Sequence, residues 1–478
     1  MPTDLLQSAA STLWSIFLII LFFGGSIFVH ELGHFLAARR RGVRVERFSI
    51  GFGPKIFAWH GGDGVEYRVS WLPLGGYVLL PQLADLRMIE GESAIESATL
   101  PPASYETKMV VFAAGAAFNV VFAFILACII WYVGLPTRAE FDTTKIGLVL
   151  PKITLPDQTP VPSPALEAGF QPGDVVRAID GRRVTDWFEL KQTLSAGGGR
   201  TADGRPKAVF TIERAGRTLD LTVYPRLAGD ERMRSIGIAP AEEFVVAAVK
   251  PGSPMARAGL QADDRMVALD GQTVLNSTVL ADYLGQHADR PIALTVTRAG
   301  RPLALTLPPR PGADQAGELG VEFKSSYKVV YPDPLTQLSE NVVMMYRVFS
   351  GLVNPRSDLG VSELSGPVGI IGIFYSTTQS DIRLVLWFTI LVNVNLAILN
   401  LLPIPVFDGG HMLFATIGRL RGRSLPPELV ATVQSIFVVL IFSLFAYVTF
   451  FDVRRMRRDS QPDPAPPPAV KTEPVPAP

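Results

Sequence analysis

Val29-His30-Glu31-Leu32-Gly33-His34 ends an apolar run and begins something chemically different. From Ser11 to Val29 no residue is charged, and Leu, Ile and Phe dominate. A run of about 19 such residues is long enough to cross a bilayer as a helix. His30 and His34 are four positions apart, so on a helix they share a face and their imidazoles can meet one metal ion. Glu31 stands beside them, placed to take a proton from a water on that metal. The pattern H-E-x-x-H suits zinc, with two ligands and a general base. Two histidines and a glutamate are costly in lipid without a function. The plain alternative is a helix end whose histidines only form hydrogen bonds, and the apolar setting weighs against it.

Working outward, the 478 residues are 48% hydrophobic, and 44 Lys and Arg balance 44 Asp and Glu. That balance argues against nucleic acid as a partner and for a membrane protein with soluble parts. Cys128 is the only cysteine, which excludes an intramolecular disulfide and a cysteine zinc cluster. With so few histidines (His30, His34, His60, His287 and His411), a third ligand must come from these or from a carboxylate. The N-terminus lacks a basic region and a small-residue cleavage site, so the first apolar segment is expected to be retained.

The first span is expected over 10–38. Arg39, Arg40, Arg41, Arg44 and Arg47 follow it, which places that end toward the cytoplasm. Phe48 to Pro54 and Val65 to Leu80 read as strands with glycine turns, too short and broken to span. They are expected to form a β-hairpin dipping into the membrane beside the metal, within a segment 39–107 that is otherwise a cytoplasmic loop. Backbone of that kind is tolerated at depth only when buried in protein or lining a cavity. The second span is expected over 108–135. Gly115 within it suits close helix packing. Asn119 is a lone polar group there; it can shape the active site or make a plain interhelical hydrogen bond.

Residues 136–310 carry a tandem repeat. Ser163-Pro164-Ala165-Leu166-Glu167-Ala168-Gly169-Phe170 leads to Gly173-Asp174 and Ile179-Asp180-Gly181. Ser253-Pro254-Met255-Ala256-Arg257-Ala258-Gly259-Leu260 leads to Asp264 and Leu269-Asp270-Gly271. Arg214-Ala215-Gly216-Arg217 and Arg298-Ala299-Gly300-Arg301 recur near the ends. Matched blocks of this kind mean a duplicated domain. Each copy resembles a PDZ domain, giving units at 146–227 and 228–312 that would bind extended peptide at a sheet edge. The second copy has Asp263 where the first has Gly173, a change that bears on one turn.

Beyond them, Leu335, Leu338, Val342, Met345, Val348 and Leu352 recur at helical spacing, giving an amphipathic helix at 333–354. Ser365 to Gly369 reads as a turn. A third span is expected over 384–407, broken by Pro403 and Pro405. Asp408 follows with no local cation, and Arg419, Arg421 and Arg423 mark its side as cytoplasmic, the side of His30 and His34. Asp408 is the natural third ligand and His411 its rival. A fourth span at 428–451 leaves Arg454, Arg455, Arg457 and Arg458 outside, against the usual charge bias. A Pro-rich tail at 452–478 reads as disordered.

H-E-L-G-H in the first span, N-L-L-P-I-P-V-F-D-G from Asn400 to Gly409, and tandem PDZ-like copies between spans two and three resemble the site-2 proteases. The likeness is to the bacterial inner-membrane branch that regulates sigma-E, and covers nearly the whole chain except the tail. Gly115-Ala116-Ala117-Phe118-Asn119 lacks a proline common in that family, which bears on local helix geometry. The resemblance implies a polytopic α-helical membrane protein with four transmembrane helices, a membrane-dipping β-hairpin and two inserted α+β PDZ domains. It implies Zn2+ held by His30, His34 and Asp408, Glu31 as catalytic base, and Asn400 contacting substrate or oxyanion. Gly51, Gly53, Gly75, Gly76 and Tyr77 look like its substrate-positioning β-elements. The implied activity is cleavage of single-span membrane proteins, an anti-sigma factor after a first outer cut or remnant signal peptides, in the inner membrane with periplasmic PDZ domains. The competing expectation is a membrane-anchored PDZ adaptor without catalysis.

Overall fold

The computed structural model describes residues 2–83, 100–138, 141–228, 233–310, 319–324, 327–355, 357–358, 360–361 and 364–459. Helix α1 (Pro2–Arg40) carries the first apolar run, and α2 (Tyr105–Val133) the second. Ser104 starts α2 by accepting a hydrogen bond from the Thr107 amide, and Gly134, with φ +78°, ends it. Four helical stretches are long and apolar enough to cross a membrane: Ala9–Arg40, Tyr105–Val133, Ile382–Leu401 and Pro427–Arg457. The chain is a polytopic membrane protein.

Between α1 and α2, β1 (Arg47–His60) pairs with β2 (Glu66–Leu79). Strand β1 runs on past the expected Phe48–Pro54 stretch, β2 fills almost all of Val65–Leu80 as one strand, and both bend. Arg47 to Ile50 is matched on one side with Leu79 to Gly76 and on the other with Glu66 to Val69. The breaks in register fall around Gly51 and Gly53, whose φ values of +86° and +85° strain any other residue. Phe48, Val78 and Leu80 join Phe35 of α1 and Val111 and Phe112 of α2 in one buried cluster. That cluster fixes the hairpin against the first two spans. Its far end shows Ile56, Phe57, Trp59 and Trp71 on the surface.

Two α+β units follow. The first has the strand order 217–223, 208–214, 175–179, 182–183, packed on α3 (Trp187–Ser195) around Phe170, Phe210 and Ile212. The second has the order 301–307, 292–298, 265–269, 244–249, 321–323, with α4 (Ser277–Gln286) over it. The duplication has a shared internal tie. Arg214 reaches Asp174 at 2.7 Å and the Gly169 carbonyl at 2.8 Å, and Arg298 reaches Asp264 and the Gly259 carbonyl at 2.7 Å each. The Arg298 guanidinium holds the Asp264 carboxyl below the usual range. Asp263 keeps a left-handed φ of +69° where Gly173 has +98°, so the turn survives the exchange.

The unit limits differ from 146–227 and 228–312. Ile238–Pro240 pairs with Ile146–Val149, and Ile236 lies in the first core, so the first unit runs to Pro240. Val321–Phe323 pairs with Phe244–Val249, which carries the second unit to Phe323. In each copy the strand after the repeated block returns to pair beside an early strand of the unit. A repeat of sequence blocks does not mark that return.

Helix α5 (Pro334–Val353) starts at Asp333, which accepts from the Thr336 amide. Its buried side chains include Gln337 and Asn341, while Leu335 and Val342 of the apolar stripe are exposed. Gln337 donates to the Ala127 carbonyl of α2 at 3.1 Å, and Arg347 meets Glu189 of α3 at 3.3 Å. The helix thus ties the first unit to the second span.

Residues 365–369 do more than turn. They open α6 (Pro367–Ser380), whose Gly366 and Gly369 amides donate to Asp452 at 3.3 and 2.8 Å. A buried carboxylate thereby satisfies amides that a helix start leaves unpaired. Helix α7 (Ile382–Leu401) stops before Pro403 rather than at Phe407, and α8 (Asp408–Leu420) begins after a six-residue turn. Helix α9 (Pro427–Asp459) continues through 452–459, which the sequence reading gave to the tail; residues 460–478 lie outside the described residues. Arg455 binds Asp452 at 2.6 Å and the Leu364 carbonyl at 2.8 Å. One of the four arginines that fit the charge bias poorly is therefore part of a helix junction.

Candidate metal centre

His30 and His34 sit one turn apart near the end of α1, and their rings meet edge to face at 4.7 Å. Asp408 arrives from the far end of the chain as the first residue of α8. The turn that delivers it is tight. A Cβ on Gly409 or Gly410 would strike the carbonyls of Leu401, Leu402 and Ile404. The distances are 3.1 Å between the two Nε2 atoms, 3.3 Å from His30 Nε2 to Asp408 Oδ2, and 3.4 Å from His34 Nε2 to the same oxygen.

The donor set fits a cation. His34 Nδ1 lies 2.8 Å from the Val111 carbonyl oxygen, which can only accept, so Nδ1 carries a proton and, in the neutral ring that binds metal, Nε2 carries the lone pair. Asp408 Oδ2 is buried without a hydrogen-bond partner. Lone pairs therefore face one another across about 3.3 Å. A tetrahedral zinc with bonds of about 2.0–2.1 Å places its ligand atoms about 3.3 Å apart. Among the described residues, this trio is the only group of three or more His, Cys, Asp or Glu that could hold an ion.

The rival ligand is elsewhere. His411 is buried, stacks on Phe112 at 5.1 Å, and has Gln434 Nε2 at 3.5 Å from its own Nε2. His60 lies exposed at the end of β1, and His287 stacks on Tyr283. Glu31 follows His30 on α1 and lies against β2: a Cβ on Gly76 would come within 2.9 Å of Glu31 Cγ and 2.8 Å of the Ser49 carbonyl. Gly76 is thus at the centre, where any side chain would crowd Glu31. Tyr77 is not. Its side chain is buried, with its hydroxyl near Arg47 and Arg68 over its ring. Gly51 and Gly53 shape the bend, and Asn400 is half-buried in the last turn of α7.

Two features escaped the sequence reading. The Val111 carbonyl is backbone, and no residue identity announces it. Gly115, read as a packing residue between helices, lies directly under both imidazoles. A Cβ there would collide with His34 Nε2 and sit 2.6 Å from His30 Cε1.

The pattern of Peptidase family M50 matches residues 18–444. This chain is a member of peptidase family M50. It is 31% identical over 465 residues to the Escherichia coli K12 regulator of sigma-E protease RseP, covering 93% of this chain and all of that one. The Salmonella typhi regulator of sigma E protease is 30% identical, with the same coverage. A Vibrio cholerae protein named "Putative zinc metalloprotease" is 30% identical over 93% of this chain and 99% of its own. The M50 chain is a membrane-bound zinc metalloprotease of the site-2 type.

Proposed function

We propose that the chain is an intramembrane endopeptidase cutting single-span membrane proteins, with His30, His34 and Asp408 as zinc ligands and Glu31 as base. The convergence of the three ligand atoms at 3.1–3.4 Å carries this reading. Zinc held there supplies a Lewis acid that makes water a nucleophile at neutral pH. Glu31 accepts the water's proton as the new oxygen–carbon bond forms at the scissile carbonyl, then gives it to the leaving amine as the carbon–nitrogen bond breaks. The Asn400 amide is assigned to the substrate or its oxyanion, on the resemblance of N-L-L-P-I-P-V-F-D-G.

A helical substrate hides its carbonyls, so it must unwind first. Gly76 to Leu79 is paired on one side with Ile50 to Arg47, and among the described residues no strand pairs with its other side. We assign that edge to an unwound substrate added as a strand. The hairpin dips into the membrane, with Trp59 and Trp71 in the headgroup region. Gly51, Gly53 and Gly75 supply the bend, and Tyr77 holds the hairpin in shape. The sigma-E regulation named for the relatives extends here to an anti-sigma factor or remnant signal peptides as substrate, in the bacterial inner membrane.

Glu31→Gln is the test. Cleavage of a tagged single-span substrate in detergent should fall by about 10²–10⁴-fold while bound zinc stays at the wild-type level. If Glu31→Gln cuts as well as wild type, Glu31 is not the base. If wild type itself cuts nothing while holding zinc, the adaptor reading gains.

The two α+β units are assigned as PDZ domains on the periplasmic side, in contact with substrate. The repeat blocks and the Arg run after α1 support this. A cysteine at Ser195 in a Cys128→Ala background should react with an impermeant reagent added from the periplasmic side. A cross-linker at the same position should capture uncut substrate. Labelling only after the membrane is ruptured reverses the orientation, and labelling without capture removes the substrate contact.

A further inference from the structure

Helix α2 faces the two histidines with a stripe of three unlike groups at four-residue intervals. The Val111 carbonyl lies 2.8 Å from His34 Nδ1. Gly115 offers no side chain where the imidazoles pass. The Asn119 amide nitrogen lies 3.3 Å from His30 Nδ1. Asn119 is wholly buried, and its Oδ1 has no hydrogen-bond partner.

An amide nitrogen in that place conflicts with the ligand geometry. His30 turns Nε2 toward Asp408 and His34, so a neutral ring acting as ligand carries its proton on Nδ1. An N–H on Nδ1 cannot face an amide NH2. The two ends of a carboxamide have nearly the same shape, and the hydrogen-bond network decides which is which. Half a turn of the Asn119 amide puts Oδ1 beside His30 Nδ1 as an acceptor and ends its isolation. His30 then has what His34 already has, an acceptor behind the ring.

We propose that Asn119 is a positioning residue of the metal centre, accepting the Nδ1 proton of His30 and so fixing the tautomer that presents Nε2. The two histidines are held from behind by one helix, with backbone for His34 and side chain for His30. Metal-binding histidines are commonly oriented in this way, and loss of the partner lowers metal affinity about 10–100-fold. The inference rests on the proposed ligand set.

The test uses the full chain in detergent and reads the rate at which bound zinc passes to a chelator, with no substrate present. Asn119→Leu keeps the approximate size and removes the acceptor; Asn119→Asp keeps an acceptor and removes the donor. Zinc loss about 10–100-fold faster from Asn119→Leu, with near wild-type retention by Asn119→Asp, supports the proposal. Wild-type retention by Asn119→Leu overturns it. So does equal loss from both variants, or loss from Asn119→Asp alone. Asn119→Ala replaces Asn119→Leu if the latter does not fold. His30→Ala is the control for the underlying reading: if it keeps its zinc, the ligand set has failed, whatever Asn119 does.

Discussion

Asp408→Ala should strip the protein of zinc and of activity, while His411→Ala should keep its zinc. The two residues are three positions apart on one helix, and both are chemically able to bind a metal. Geometry separates them. Asp408 Oδ2 meets both Nε2 atoms at 3.3 and 3.4 Å, whereas His411 is committed to packing between Phe112 and Gln434. Losing a ligand should cost more than the roughly 10–100-fold in affinity that losing a ligand's hydrogen-bond partner costs. Removing the His411 ring leaves a cavity and lowers stability by an amount on the order of 2–4 kcal/mol. Metal analysis of the two purified variants decides the matter. Full zinc in Asp408→Ala with loss in His411→Ala would reverse the assignment.

Gly115→Ala should be nearly as damaging, although alanine favours a helix over glycine by about 1 kcal/mol. The added methyl would lie 2.6 Å from His30 Cε1 and 2.7 Å from His34 Cε1. Neither ring has room to retreat, because Val111 holds one and Asn119 stands behind the other. The expected result is a metal-free protein in which the clash offsets the gain in helix propensity, zinc loss on the order of 10-fold faster or more, and activity reduced in step. Thermal unfolding of the metal-free protein, read beside zinc retention, separates this from simple misfolding. Wild-type zinc retention would show that α2 yields at that point.

The spans and half of the centre were legible because they depend on near neighbours. His30 and His34 share a face by helical spacing, and the apolar runs announce themselves by composition. Asp408 needed the side of the membrane marked by the flanking arginines, and the family resemblance. What stayed hidden depends on distant partners. The segment from Ser365 to Gly369 looked like a turn because its cap, Asp452, lies far along the chain. The repeated blocks end the first α+β unit at 227, because the pairing of Ile238–Pro240 with Ile146–Val149 leaves no mark in them. Asn119 allowed two readings because only the rotation of α2 about its axis decides what it faces. The apolar residues of α5 recur at helical spacing, but the structure buries Gln337 and Asn341 and exposes Leu335 and Val342, because the helix packs through polar contacts such as Gln337 to the Ala127 carbonyl.

The placement of Asp408 at the start of α8 also bears on how the protein is made. The ribosome delivers both histidines and Glu31 within the first helix, and the carboxylate only after α7 has been threaded into the bilayer. For most of its synthesis the chain therefore holds two of its three proposed ligands, together with the proposed base. On the proposed ligand set, the metal site is therefore completed only late in translation, when most of the chain has already been made.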